Sequence, residues 1–159
     1  MKRLNPILVG IAGEYFVAAE LSRRGYVASI TLRNTRGIDL LAANADATRS
    51  VGIQVKTRQD AGTEWVLSKK AEDAPDADLA DNLFYVFVSL NRGEAPSYHI
   101  VPRIVVAEHT RNGHARWLAT PGKRGQAHGD SAVRKFTDAE GKYRDAWNLL
   151  ELDRPAPRR

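Results

Sequence analysis

GIDLLAANADATRSVGIQVKT, residues 37–57, decides the fold. Residues 38–42 and 51–57 read as two strands, and the polar loop 44–50 between them predicts an antiparallel hairpin. Asp39 is out of place in the first strand, between Ile38 and Leu40-Leu41-Ala42. Aspartate is depleted from strands, and burying its charge costs several kcal/mol unless it is compensated. On the second strand a period of two turns Gln54 and Lys56 to one face and Ile53, Val55 and Thr57 to the other. Pairing through the 44–50 loop sets Asp39 beside Gln54 and Lys56 at a sheet edge. The same alternation is also what a polar strand face in water shows.

Upstream, Asn5-Pro6 predicts a helix over 6–24, with Asn5 as N-cap, Pro6 at the first helical position and Gly25 beyond the end. At 100° per residue Glu14 shares a face with Ile7, Gly10, Ile11, Ala18 and Leu21. A carboxylate in such a stripe needs a partner, an arginine or a metal. Gly10 and Gly13 each weaken a helix by about 1 kcal/mol relative to alanine, which makes sense where another chain segment passes close by. Lys2 and Arg3 followed by apolar 7–13 imitate a secretory leader, but Glu14 ends the run after seven residues. The segment therefore reads as a buried helix, and nothing approaches the length of about 20 apolar residues that a membrane span requires.

Residues 26–32 predict a strand, and 61–82 no more than a short helix. Residues 83–90 form a near-continuous apolar strand, central and covered on both faces. A short strand over 97–101, a helix opened by Pro102, a Gly-rich basic loop over 120–135 and a last helix over 138–150 follow. That last helix places Tyr143, Ala146, Trp147 and Leu150 at helical spacing. The expected architecture is an α/β sandwich with a mixed central sheet, helix 6–24 on one face and the C-terminal helices opposite. It forms a single domain over 1–152, with a frayed tail at 153–159.

The chain has no cysteine, which excludes disulfides, thiolate metal sites and cysteine nucleophiles. The cytoplasm is the expected location. Lys and Arg number 24 against 19 Asp and Glu, a net charge of +5 that suits a polyanion but is also found on generic basic proteins. Arg103, Arg111, Arg116, Lys123, Arg124, Arg134 and Lys135 crowd the C-terminal third, as a solvated face or as a phosphate-tracking surface. His99, His109, His114 and His128 lack metal-ligand spacing, and no nucleophile elbow or P-loop is present.

The succession Gly13-Glu14, Gly37-Ile38-Asp39-Leu40 and Gly52-Ile53-Gln54-Val55-Lys56-Thr57 resembles the PD-(D/E)-x-K nuclease superfamily. Within it the chain looks most like the bacterial PD-(D/E)-x-K endonucleases, a group that includes an intron-encoded homing endonuclease. Archaeal Holliday-junction resolvases share the helix-then-hairpin order. The resemblance covers residues 7–57, and more loosely the strand 83–90 and the segments Tyr98-His99-Ile100-Val101-Pro102 and Tyr143-Arg144-Asp145-Ala146-Trp147. It implies a restriction-endonuclease-like sheet and Mg²⁺-dependent cleavage of duplex or branched DNA, with Mn²⁺ as a substitute. Asp39 would be the central metal ligand, joined by Glu14, the Val55 backbone carbonyl and the Gln54 carboxamide. Lys56 would orient the attacking water or neutralise charge on the scissile phosphate. Arg36, Lys123, Arg124, Arg134 and Lys135 are the expected DNA contacts, and a homodimer or higher homo-oligomer the expected assembly. Gln54 departs from the usual Glu or Asp, which leaves one charge fewer for a metal. Two other readings stay open: a nuclease fold that binds nucleic acid without cutting, and an interaction module whose polar cluster is an ion-pair network.

Overall fold

The Asn5 side chain accepts from the Ile7 N–H at 2.9 Å, with Pro6 at the first turn, so the cap forms as the sequence predicts. In the computed structural model, which describes residues 2–32 and 37–154, this helix, α1, spans Pro6–Arg23. It stops as Gly25 adopts φ +87°, a left-handed conformation that favours glycine. Strands β1 (Val27–Ile30), β2 (Leu40–Ala43) and β3 (Ser50–Arg58) follow. The crossover after β3 carries β4 (Glu64–Ser68) and two 3-10 turns, Lys69–Glu72 and Ala77–Asn82. Then come β5 (Leu83–Ser89), β6 (Ser97–Pro102), helix α2 (Arg103–Ala119), β7 (Val133–Thr137) and the 3-10 turn Trp147–Leu150.

Five strands make one mixed sheet in the order β1-β2-β3-β5-β6, while β4 and β7 form a separate antiparallel pair. The expected hairpin is present, with Leu40 opposite Ile53 and Ala43 opposite Ser50. β3 and β5 run parallel, placing Tyr85 beside Gln54 and Phe87 beside Lys56. Phe84 to Ser89 are buried, as a strand covered on both faces must be. One face packs Ile53, Val55, Phe84, Val86 and Ile100 against Val9, Val17 and Leu21 of α1. The other packs Tyr85, Phe87 and Val101 against Trp65, Leu67, Val106 and Phe136, from β4, α2 and β7. No helix among the described residues is long and apolar enough to cross a membrane.

Four expectations need correction. The buried seam of α1 is Val9, Gly13, Val17 and Leu21, whereas Ile7 is 59% exposed, so the inward face is rotated from the predicted stripe. Residues 61–82 hold a strand, because Trp65 and Leu67 alternate inward from Glu64, Val66 and Ser68. The 120–135 segment is loop only until β7 begins at Val133. Residues 138–150 are turns rather than a helix. Tyr143 joins the α2-side core while Trp147 and Leu150 join the α1-side core, a division that one helix face could not make. The tail 153–159 mostly lies outside the described residues, but Asp153 accepts from the Tyr26 hydroxyl at 2.5 Å.

Gly13 seats α1 on the sheet. A Cβ there would meet the Thr57 Oγ1 at 1.8 Å, whereas a Cβ at Gly10 meets nothing within 4 Å. Gly13→Ala should therefore cost about 1–3 kcal/mol through overpacking, while Gly10→Ala should be neutral or gain about 1 kcal/mol of helix propensity. Denaturant midpoints of the two variants check this, and equal midpoints would sink it.

Candidate functional site

Asp39 lies just before β2, half-buried, where the hairpin ladder runs out. Its backbone holds sheet geometry: Thr31 N–H donates to the Asp39 carbonyl at 2.9 Å, and Asp39 N–H to the Ile53 carbonyl at 2.8 Å. Its carboxylate then continues the ladder, with Oδ2 accepting from the Val55 N–H at 2.7 Å. Backbone groups alternate sides along a strand, so the Val55 carbonyl faces the same way as its N–H, beyond the first residue of β2. A carboxylate and a carbonyl thus meet at one strand end.

Gln54 and Lys56 share one face of β3 and line a cleft of about 470 Å³ with Lys70, Asp73, Tyr85 and Arg103. Burial pushes the Tyr85 hydroxyl above its ordinary range. The Arg103 cation opposes that rise and the Asp39 and Asp73 charges reinforce it, so the fields of Asp39 and Arg103 meet at this ring. Glu14 comes from the other side of the sheet, half-buried on α1 and next to the glycine that touches Thr57. Among the described residues no three His, Cys, Asp or Glu side chains gather as a ligand cluster. The oxygens on offer around this part of β3 are two carboxylates, one carboxamide and one main-chain carbonyl.

No protein-family model matches the sequence, and neither does any curated protein. Among solved structures the chain is similar to the bacterial homing endonuclease I-Ssp6803I, with a TM-score of 0.53 and 15% identity over 94% of each chain. The fold is restriction-endonuclease-like. Hjc, a Holliday junction resolvase from the archaeal hyperthermophile Archaeoglobus fulgidus, aligns over 81% of this chain and 84% of its own, at 16% identity and a TM-score of 0.42.

Within this restriction-endonuclease-like frame the expected DNA contacts separate. Arg36 lies outside the described residues. Lys123 and Arg124 are exposed in the loop before β7. Lys135 is exposed and pairs with Glu64 at 2.9 Å. Arg134 is only 3% exposed: its guanidinium is bound to Glu72 and to the Ser131 and Val133 carbonyls, which leaves little of it open to a phosphate. The histidines do not converge on a common site. His99 is buried against Asp138 at 2.6 Å, His114 meets Asp130 at 2.8 Å, and His109 accepts from the Thr137 N–H at 3.3 Å. His128 stacks on Trp117 with ring centroids 4.1 Å apart.

No motif in the sequence marks Tyr85 or Lys70, and Arg103 stands there among the basic residues of the C-terminal third. Tyr85 was recoverable, because parallel pairing of 83–90 with 51–57 puts every second residue on the Gln54–Lys56 face. Lys70 carries no such signal, since its place depends on a crossover without periodicity.

Proposed function

We propose that the protein is a metal-dependent endonuclease hydrolysing phosphodiester bonds in DNA. The carrying observation is the Asp39 carboxylate, fixed just before β2 by the N–H of Val55, the residue between Gln54 and Lys56 on β3. The similarity of the fold to a homing endonuclease supports the reading. The donor set fits a hard divalent cation such as Mg²⁺, which takes oxygen ligands and keeps several waters. Asp39 through its second oxygen, the Val55 carbonyl, Glu14 and the Gln54 carboxamide would hold the ion. When bound, it supplies Lewis-acid charge at the scissile phosphate. Lys56 adds a fixed positive charge where negative charge develops in the transition state. The test is incubation of duplex and four-way-junction DNA with the protein in Mg²⁺, Mn²⁺ or EDTA. Cleavage that needs the metal is expected, and intact substrates in both metals would overturn the proposal.

Gln54 favours one other reading, a nuclease fold that binds DNA without cutting it, because the carboxamide removes a charge from the site. Its mark is a mobility shift with no product in Mg²⁺.

Metal binding has its own readout. A cation at a hundred times its Kd adds about 2.7 kcal/mol to stability, or roughly 5–10 °C in Tm at this size. Asp39→Asn keeps an acceptor for the Val55 N–H while removing the charge, so it should stay folded and lose that increment. A Mg²⁺-dependent rise of the same size in the variant would remove Asp39 from the ligand set.

A further inference from the structure

Several exposed cations of the molecule are held in ion pairs. Lys69 meets Asp130 at 2.8 Å, Arg92 meets Asp60 at 2.6 Å and Lys135 meets Glu64 at 2.9 Å. The cleft beside Gln54 gathers three that are not. Lys56, Lys70 and Arg103 all line it, and among the described residues none of the three has a carboxylate within 4.0 Å. Asp73 is the one acid among its lining residues. Three cations against one acid leave the concavity with an excess of positive charge, which suits an anion supplied from outside.

The two outer cations are held in position. Arg103 is half-buried at the first residue of α2, directly after β6. Lys70 is exposed, but its 3-10 turn is tied to the segment before β7: Lys69 N–H donates to the Ala132 carbonyl at 2.9 Å, and Glu72 is bound by Arg134. Lys56 also lines a second cleft, of about 710 Å³, together with Arg3, Arg58 and Arg92. The two concavities therefore meet at Lys56. The Tyr85 ring is buried and stacked on Phe87 at 5.5 Å, so the cleft offers no open aromatic face to a base. Cations without a stacking platform select the sugar-phosphate backbone.

We propose that Lys70 and Arg103 bind backbone phosphates of a DNA duplex beside the scissile position, and that this cleft, rather than the Lys123–Arg124 loop, is the main phosphate track. The proposal rests on the nuclease reading for its substrate and deepens it. Duplex oligonucleotide affinity, measured in Ca²⁺ over a series of salt concentrations, tests it. Each lost phosphate contact lowers the slope of log affinity against log salt by about 0.9. Lys70→Gln with Arg103→Gln should therefore flatten the slope by about 1.8, whereas Lys123→Gln with Arg124→Gln should leave most of it. Arg103→Lys keeps the charge and should recover the contact, and the exposed Lys70→Gln alone should flatten the slope by about 0.9 without a folding penalty. An unchanged slope in Lys70→Gln and in the double variant overturns the proposal, and leaves the nuclease reading standing if the parent chain cuts in Mg²⁺. A flattened slope in a chain that never cuts upholds the track and removes the nuclease. A parent chain with no duplex affinity overturns the track.

Discussion

Lys56→Ala is expected to bind duplex DNA nearly as tightly as the parent chain, and to cut it a hundred- to a thousandfold more slowly in Mg²⁺. Lys56 stands on the same β3 face as Gln54, beside Phe87, at the junction of two clefts. Binding to the ground state is shared among several cations. Charge on the reacting phosphate grows only in the transition state, and a fixed cation aimed at it contributes about 3–4 kcal/mol there. Single-turnover rates at saturating enzyme separate the two effects, because affinity no longer limits them. Gln54→Glu, which restores the acid common in the family the sequence resembles, should retain activity and tighten metal binding. Equal rates for the parent chain and Lys56→Ala would remove this side chain from the chemistry.

The second large effect concerns stability. Arg134 is covered by its own partners, with Glu72 and two main-chain carbonyls binding its guanidinium and Asp130 3.4 Å away. The Lys69 ammonium first, then His114, holds the Asp130 carboxyl well below the usual carboxylate range, with Arg134 adding to that. Removing one partner of a buried pair leaves an uncompensated charge and typically costs about 3–5 kcal/mol. Glu72 keeps some exposure, so Arg134→Ala should lie near the lower end, about 3 kcal/mol, or roughly 6–12 °C in Tm. Arg134→Lys should recover little, since a point charge cannot replace the planar fork. A phosphate contact would behave the other way, neutral for stability and replaceable by lysine. A Tm for Arg134→Ala within a degree or two of the parent would return it to the DNA surface.

How much was legible in the sequence follows from what each segment is asked to do. α1, the β2–β3 hairpin and β5 carry local signals that agree with their surroundings: an Asn-Pro start, a period of two, an unbroken apolar run. Asp39, Gln54 and Lys56 stood out because they break or decorate those patterns. β7 was hidden by Arg134, a charge at a position where alternation calls for an apolar residue, and its justification lies 62 residues away in Glu72. The last helix was a false positive of spacing. Left-handed backbone at Gly141 and Asp145 breaks the segment, so that the residues it carries reach both sides of the sheet. Lys70 and Arg103 were invisible as a pair because a tertiary cleft, not a motif, brings them together.

The pairing of β4 with β7 sets an order on synthesis. The turn that carries Lys70 is secured by Ala132 and Arg134, and β4 has its antiparallel partner in residues 133–137. A nascent chain that has just completed β6 can already close the five-stranded sheet and align Asp39 with Val55, yet one wall of the cleft still lacks its support. The strand end that holds Asp39 can thus form early, while the concavity beside it is finished only once residues 132–137 have left the ribosome.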